Sequence, residues 1–208
     1  MSLRNAAIGL MLAATPVAAI SLAAVTPAWA QSQRDAEAEG FVANEAGRAL
    51  TILNKGGPAA QKNAEFRAFV DQVADVPKIT RFVLGKYART ITPQQYGDFA
   101  QAFRLYANSV YESRLGQYHG EKLRIVGSVV RAPGDVVVTS QVVGGQVRQP
   151  AEVKWRVIRG ADGHYRAVDV SIEGVWLAIT EQQDFVSTLD NHRGDINVLI
   201  AQLRAQTQ

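Results

Sequence analysis

The sequence lacks cysteine altogether, and its 208 residues carry only a small excess of positive charge. Without cysteine there is no disulfide framework, zinc ribbon, iron–sulfur cluster or thiol nucleophile. Lys and Arg number 22 against 19 Asp and Glu, a net charge of +3. So weak a balance argues against a nucleic-acid-binding protein, which needs a clustered basic surface.

Acidic residues are also missing from the start of the chain, where the first is Asp35. Arg4 gives a short positive region, residues 6–14 are apolar, and residues 28–30 read Ala-Trp-Ala, a small-x-small cleavage pattern. This order predicts a cleaved signal peptide over residues 1–30. A single membrane anchor is the alternative, but two prolines and an alanine-rich composition favour cleavage.

Cleavage would leave 208 − 30 = 178 residues, enough for one domain spanning 31–208. Removing Arg4 lowers the net charge to 21 − 19 = +2. No later stretch of about 18 apolar residues is present, so we expect no membrane-spanning segment in this domain. Export without cysteine predicts a periplasmic protein that folds on its hydrophobic core alone.

Helical spacing of apolar residues dominates the first half of the predicted domain. One helix is expected over 33–55, a second carries Phe66 and Phe69, and Pro77 opens a short third. Thr92-Pro93-Gln94-Gln95 reads as an N-cap, a first-turn proline and a capping-box glutamine, so it predicts the start of the longest helix.

The apolar period then changes from 3.6 to 2, as expected for strands. Four strands separated by short turns follow between about residues 123 and 172, and helices are predicted over roughly 176–190 and 194–205. The predicted fold is therefore α+β, with N-terminal helices on a four-stranded antiparallel curved sheet and two C-terminal helices.

Catalytic and metal-binding motifs are few. His119, His164 and His192 lie in or beside predicted turns without HxH or HExxH spacing, so we predict no metal site. The glycine pairs lack a phosphate-loop pattern, no GxSxG elbow occurs, and no cofactor is predicted.

Asp169 and Glu173 form the one pair of acids with some catalytic interest. Four residues apart on a strand, they share a face but are separated by about 13 Å, too far for paired glycosidase carboxylates. Asp169 alone, between two valines, could serve as a general base. A buried acid bonded to backbone N–H groups or an arginine is the more common situation.

An apolar inner surface is the clearest remaining feature. The long helix contributes Phe99, Phe103, Tyr106 and Val110. The sheet contributes further apolar residues: Val136, Val138, Val153, Trp155, Val157, Val168 and Val170. These residues either pack against one another as an ordinary core or surround an apolar ligand, and the pattern alone favours the core.

The C-terminal segment from Val168 to Thr180, Val-Asp-Val-Ser-Ile-Glu-Gly-Val-Trp-Leu-Ala-Ile-Thr, followed by Phe185, resembles the MlaC/toluene-tolerance family. Upstream, Phe82-Val83-Leu84-Gly85-Lys86-Tyr87, Thr92-Pro93-Gln94 and Tyr118-His119-Gly120 are also similar to that family. The resemblance runs from about Phe41 to Leu203. It departs at Trp176, where the family usually has serine and where this chain resembles the hopanoid-cluster branch.

The resemblance implies a non-enzymatic periplasmic lipid carrier with an apolar cavity between its helices and sheet. Its cargo would be a phospholipid or a hopanoid, and its partners an inner-membrane ABC lipid transporter and an outer-membrane lipid complex. The implied lipid-contact residues are Tyr87, Phe99, Phe103, Tyr106, Val136, Val138, Trp155, Val157, Val168, Val170 and Trp176, with Tyr87 and Trp176 near the mouth.

Lys154, Arg156 and Arg166 are assigned to the other face of the strands, although alternation places Arg166 with Val168. Two further functions stay open. One is an enzyme that uses Asp169 as base and Tyr165 or Tyr106 as acid. The other is a periplasmic scaffold with a filled core.

Overall fold

The computed structural model describes residues 34–115, 120–145 and 148–207, which all lie in one compact unit, Ser32–Gln208. The predicted signal peptide lies outside the described residues, as do Tyr118 and His119.

Six α-helices and five strands occur in the described part of the chain. The helices are α1 (Ala36–Asn54), α2 (Ala59–Val73), α3 (Val76–Val83), α4 (Pro93–Leu115), α5 (Leu177–Asn191) and α6 (Ile196–Ala205). The strands are β1 (Glu121–Ala132), β2 (Asp135–Gly144), β3 (Ala151–Arg159), β4 (Tyr165–Ile172) and β5 (Val175–Trp176).

The long helix α4 begins with the capping box that the sequence predicts. The Gln95 N–H donates to the Thr92 hydroxyl at 3.2 Å, and the Thr92 N–H donates to the Gln95 side-chain oxygen at 2.9 Å. Pro93 is the first helical residue, where its missing N–H costs nothing. Two otherwise unsatisfied N–H groups are therefore bonded at this helix end.

The five strands form one antiparallel sheet in the order β1-β2-β3-β4-β5, which confirms the α+β class and adds one strand to the four predicted. The extra strand, β5, has only two residues. Glu173 and Gly174 both have positive φ, 49° and 86°, as in the tight hairpin turns whose twist matches that of the strands. This turn brings Val175 beside Ile172, and so short a strand has no detectable alternation of its own.

A bulge at Val168 interrupts the alternation of β4. Arg156 is paired with Asp169 while the next residue of β3, Val157, is paired with Ala167, so Val168 has no partner on β3. Because the bulge shifts the register by one residue, Ala167 and Val170 share one face of the sheet. Strict alternation would place Val168 and Val170 on the same face of the sheet. The bulge removes that arrangement.

Helix α1 covers one half of the apolar sheet face. Ala38 and Val42 of α1 pack with Val136, Val138 and Val157, and all five side chains are buried. Polar bonds hold the start of this helix in place over the sheet.

Those bonds centre on Asp35, the N-cap of α1. Its carboxylate accepts the Ala38 N–H at 2.8 Å and the Tyr165 hydroxyl at 2.7 Å, while the Asp35 N–H donates to Ser128 Oγ at 2.8 Å. Burial by itself would raise the pKa of Asp35, but these donors lower it below its ordinary value. The Asp35 carboxylate therefore joins α1 to β4, and its backbone N–H joins α1 to β1.

A second, separate core lies among α3, α4, α5 and α6. Phe185 of α5 stands edge-on to Phe99 and Phe103 of α4, with ring centroids 6.0 and 5.9 Å away. Phe99 and Phe103 are themselves stacked at 5.8 Å. Leu189, Leu199 and further aliphatic residues complete this cluster, which contains no sheet residue.

Candidate functional site

The candidate site is the part of the apolar sheet face that α1 does not cover. Residues paired across an antiparallel sheet share a face. One such row crosses β1 to β4 as Ser128, Val138, Trp155 and Val170, and the next crosses all five strands as Ile125, Ser140, Val153, Ile172 and Val175. A third row contains Leu123, Val142 and Ala151.

Part of this face is exposed to solvent, although Ser140 and Val153 are buried. Val138 is fully buried, Trp155 and Val170 are half-buried, and Ile172 is 39% exposed. We call this surface the open end of the sheet face: Leu123, Val142, Val153, Trp155, Val170 and Ile172. Across its four strands, β1 to β4, it extends about 14 Å, comparable to the roughly 15 Å depth of one leaflet of hydrocarbon.

Polar groups on the open end are bonded to one another rather than left free. The Trp155 indole N–H donates to Ser140 Oγ at 2.9 Å, and the Ser140 hydroxyl donates to the Val153 carbonyl at 2.9 Å. Because its N–H group is already bonded, Trp155 offers an apolar ring surface to a ligand on the open end.

The predicted residues on the sheet divide between the covered and open halves. Val136, Val138 and Val157 are fully buried beneath α1, while Trp155 and Val170 are paired with each other on the open end. Val168 is buried at the bulge.

The last predicted residue of this region, Trp176, does not lie with them. Its backbone is paired with Ser171, so Trp176 lies on the face of the sheet opposite to the open end. The Trp176 carbonyl accepts the Thr180 hydroxyl at 2.9 Å, in the first turn of α5.

The predicted helical residues lie in the helical core. Phe99 and Phe103 are buried in it, and Tyr87 and Tyr106 pack at its edge. The Tyr87 hydroxyl donates to Asp190 at 2.5 Å. None of these four belongs to the core cluster that joins α1 to the sheet, so the structure does not bring the two predicted sets into a single cluster.

Tyr106 joins α4 to α5 through a half-buried hydrogen bond. Its hydroxyl donates to Glu181 Oε1 at 3.0 Å. Burial raises the pKa of Tyr106 to about 12, and the negative charge of Glu181 adds to the effect. Burial also raises the pKa of Glu181 above its ordinary value; the negative charge of Asp184 adds to this rise, and the hydrogen bond from Tyr106 partly offsets it.

Asp169, the candidate base, connects β4 to the start of α5. Its Oδ1 accepts the N–H groups of Val170 and Ala178, both at 2.8 Å. Burial raises the pKa of Asp169, and these N–H groups together with the charge of Arg156 partly offset that rise. This is the environment of a structural buried acid bonded to backbone N–H groups.

The hydroxyls proposed as acids for Asp169 are directed to other carboxylates. Tyr165 donates to Asp35 and Tyr106 donates to Glu181. Glu173, the other acid of the pair, lies in the turn after β4 and accepts the Glu152 N–H at 2.6 Å. Among the side chains that the structure describes, no tyrosine is hydrogen-bonded to Asp169.

The opposite face of the sheet carries Lys154, Arg156 and Arg166 together, because the Val168 bulge moves Arg166 onto the face of the other two. Each is paired with a carboxylate: Lys154 with Glu152 at 2.9 Å, Arg156 with Asp135 at 2.8 Å and Arg166 with Asp162 at 2.5 Å. The Arg156 guanidinium lowers the pKa of Asp135. These cations are satisfied within the chain.

Two cavities lie beside α1. One, of about 340 Å³, is lined by residues of α1, α2 and β4 that include Phe41, Arg48 and Tyr165. The other, of about 700 Å³, runs between α1 and α2 along Gly47 and Phe69. Neither contains any of the predicted lipid-contact residues. Elsewhere in the described residues, no group of three or more His, Asp or Glu is placed to hold a metal ion.

Comparison with known proteins identifies the family. The model of the family described as "MlaC protein" matches residues 44–205. The chain belongs to the MlaC family. A solved structure with this MlaC fold is the phospholipid-binding protein from Ralstonia solanacearum, determined in complex with a phospholipid. It is 25% identical in sequence, with a TM-score of 0.68, and the match covers 83% of this chain and 97% of that one.

Sequence patterns did not identify two residues of the open end in this MlaC chain. Ile172 and Val142 are not among the predicted lipid-contact residues, although they lie on the same face of the sheet as Trp155 and Val170, which are. Ile172 is the last residue of β4, and a strand end looks the same in sequence whether a helix covers it or not. Among the described residues, no helix is both long and apolar enough to cross a membrane.

Proposed function

We propose that this protein is a periplasmic lipid carrier that shelters the acyl chains of a phospholipid on the open end of its sheet face. The observation that carries the proposal is the match to a phospholipid-bound MlaC-like structure over 97% of that structure's length. In this chain the open end supplies the apolar surface such a ligand needs. The Asp169 bonds favour binding over catalysis, so we propose no chemical step.

The free-energy cost of exposing acyl chains to water makes such shelter necessary. Each CH₂ taken from a bilayer into water costs about 0.8 kcal/mol, so two tails of about 16 carbons cost on the order of 25 kcal/mol. A carrier lowers this cost by offering an apolar surface of similar extent. We propose that it receives lipid from one membrane complex and delivers it to another, an outer-membrane lipid complex and an inner-membrane ABC transporter.

Phospholipid is the preferred cargo because the similar structure holds one. A hopanoid is the second candidate, and the observation that favours it is Trp176 in place of the family's usual serine. Trp176 shares the face of Ser171 rather than that of Ile172, so its indole lies away from the open end. Trp176 therefore supports a rigid polycyclic cargo less strongly than the similar structure with its bound phospholipid supports a phospholipid cargo.

An aspartate on the open end should abolish lipid uptake. Ile172→Asp places a carboxylate where tails would lie, and burying a charge against hydrocarbon is strongly unfavourable. We expect at least about a tenfold loss of bound phospholipid, the equivalent of roughly 1.4 kcal/mol or more. The measurement is lipid phosphorus per mole of protein after incubation with phosphatidylglycerol vesicles and re-isolation.

Val129→Asp is the matched control. Val129 is 47% exposed and is paired with Val137 on the opposite face of the sheet. Both variants should fold, since both positions are solvent-exposed, and circular dichroism checks this. Equal lipid uptake by the two variants would show that the tails do not lie on the open end.

A further inference from the structure

Ser140 is the one polar residue in its row across the apolar face of the described strands. The rest of the row consists of Ile125, Val153, Ile172 and Val175. Ser140 is fully buried, and a buried hydroxyl costs free energy unless it is hydrogen-bonded. The Val153 carbonyl, directly across on β3, accepts its hydrogen at 2.9 Å. That bond satisfies Ser140 as a donor and leaves the lone pairs of its oxygen for a second partner.

The second partner of the Ser140 hydroxyl is the Trp155 indole, whose N–H donates to it at 2.9 Å. Trp155 lies on β3 opposite Val138, whereas Ser140 lies two residues further along β2. The indole therefore crosses from its own strand to the next and leans towards the open end. Because a serine oxygen is only one bond beyond Cβ, the ring is held low over the sheet. The N–H is the only hydrogen-bonding group of tryptophan, so no other bond orients this ring.

Trp155 lies at the boundary between the covered and open halves of the sheet face. It is half-buried and packs against the core cluster beneath α1, which includes Val138 and Val157. From the row of Trp155 to the row of Val142 the sheet extends four residues along β2, or about 13 Å. Hydrocarbon in one leaflet is about 15 Å deep. An acyl chain laid along the strands on the open end therefore reaches the Trp155 ring with its last carbons.

We propose that Ser140 is a positioning residue of the lipid site, and that it holds Trp155 as an inner wall that limits the length of the acyl chains. This inference rests on the proposed lipid carriage. Carbons that fit on the open end exchange a bilayer for another apolar surface at little cost. The space beyond the ring is filled by the core beneath α1, so a longer chain leaves carbons in water. Each CH₂ left in water lowers binding about fourfold, the equivalent of about 0.8 kcal/mol.

Fluorescence quenching by brominated acyl chains tests whether the tails reach Trp155. Trp29 lies in the predicted signal peptide, so the predicted mature chain carries two tryptophans, Trp155 and Trp176. Phosphatidylglycerol brominated on the terminal half of its tails should quench Trp155 in the Trp176→Phe protein. It should leave Trp176 unquenched in the Trp155→Phe protein, because Trp176 lies on the opposite face of the sheet. Bound lipid that does not quench Trp155 overturns the wall.

The chain lengths that the protein selects measure the position of the wall. The probe is vesicles that contain equal amounts of monounsaturated phosphatidylglycerols with tails shorter than, equal to and longer than oleoyl, and mass spectrometry counts the bound lipid. The wild type should match the vesicle composition up to a limit and then fall at least about tenfold for the next longer tail. Trp155→Ala should move this limit to longer tails, because it removes the ring. A limit that stays in place in Trp155→Ala would contradict the wall.

A double-mutant cycle tests whether Ser140 acts through Trp155. Ser140→Ala keeps the ring but removes the acceptor of its N–H, so the limit should again move to longer tails. In a Trp155→Phe background the same substitution should have no further effect on the limit, because phenylalanine has no N–H to hold. Equal shifts in both backgrounds would show that Ser140 acts on the sheet and not through the indole, which would overturn its positioning role.

Ser171→Ala is the matched control for Ser140→Ala. Ser171 is 1% exposed and is paired with Lys154 on the opposite face of the sheet. Loss of this buried hydroxyl should leave the chain-length limit unchanged, and circular dichroism checks that each variant is folded. A shift in Ser171→Ala equal to that in Ser140→Ala would contradict a specific role for Ser140.

The total amount of bound lipid separates the wall from the lipid carriage. A wild type that takes up phosphatidylglycerol without any chain-length limit overturns the wall alone. A wild type that takes up no phosphatidylglycerol of any chain length overturns the carriage itself.

Discussion

Phe185→Ala is expected to lower the free energy of unfolding by about 4 kcal/mol. Phe185 is 5% exposed and its ring meets those of Phe99, Phe103 and Tyr106 at centroid distances between 5.9 and 6.4 Å. Truncation leaves a cavity at the junction of α4 and α5 and removes three aromatic contacts. The melting temperature should fall by about 10 °C, as measured by thermal unfolding.

Phe82→Ala is the control for this loss. Phe82 is 38% exposed on α3, so the same truncation there should cost less than about 1 kcal/mol. A small effect at Phe185 would mean that the helical cluster is not a packed core, and that Phe99 and Phe103 are available to a ligand after all. The size of the Phe185 effect therefore decides between the two roles that the sequence leaves open for them.

Asp169→Ala should cost about 2–3 kcal/mol at neutral pH. The substitution leaves the buried N–H groups of Val170 and Ala178 without their acceptor, and each unsatisfied group is costly. Asp169→Asn keeps an acceptor oxygen and should cost less. Urea unfolding of the three proteins measures both differences.

The pH dependence of the Asp169 contribution follows from its raised pKa. Because the folded-state pKa lies above the ordinary value of 3.8, the pH-dependent part of the contribution is fully present below pH 3.8 and is lost as pH rises through the folded-state pKa, while the bonds to the two N–H groups remain. The wild type should therefore exceed Asp169→Asn by more at pH 4 than at pH 7. A gap that widens from pH 4 to pH 7 would show that the ionised carboxylate is the stabilising form.

Local signals in the sequence located several elements correctly. Thr92-Pro93-Gln94-Gln95 predicted the start of α4 because a capping box is made by residues adjacent in the chain. Short turns predicted antiparallel pairing for the same reason. The C-terminal helices, predicted over 176–190 and 194–205, are Leu177–Asn191 and Ile196–Ala205.

Features that depend on distant residues could not be predicted. The Val168 bulge reverses the alternation of β4, so the faces of Arg166 and Val168 could not be read from spacing. Helical periodicity showed that Phe99 and Phe103 face inward, but not that their partner is Phe185 rather than the sheet. The covering of Val138 and Val157 by α1 likewise depends on the Asp35 bonds to Ser128 and Tyr165, far along the chain.

Phospholipid carriage is tested most directly by the lipid that the protein itself retains. The measurement is mass spectrometry of a solvent extract of the protein purified from periplasm without detergent, followed by uptake from phospholipid vesicles after delipidation. We expect glycerophospholipid in the extract at close to one molecule per protein, and renewed uptake from the vesicles. A triterpenoid in place of glycerophospholipid would contradict the cargo, and absence of any lipid together with no uptake would contradict the carrier.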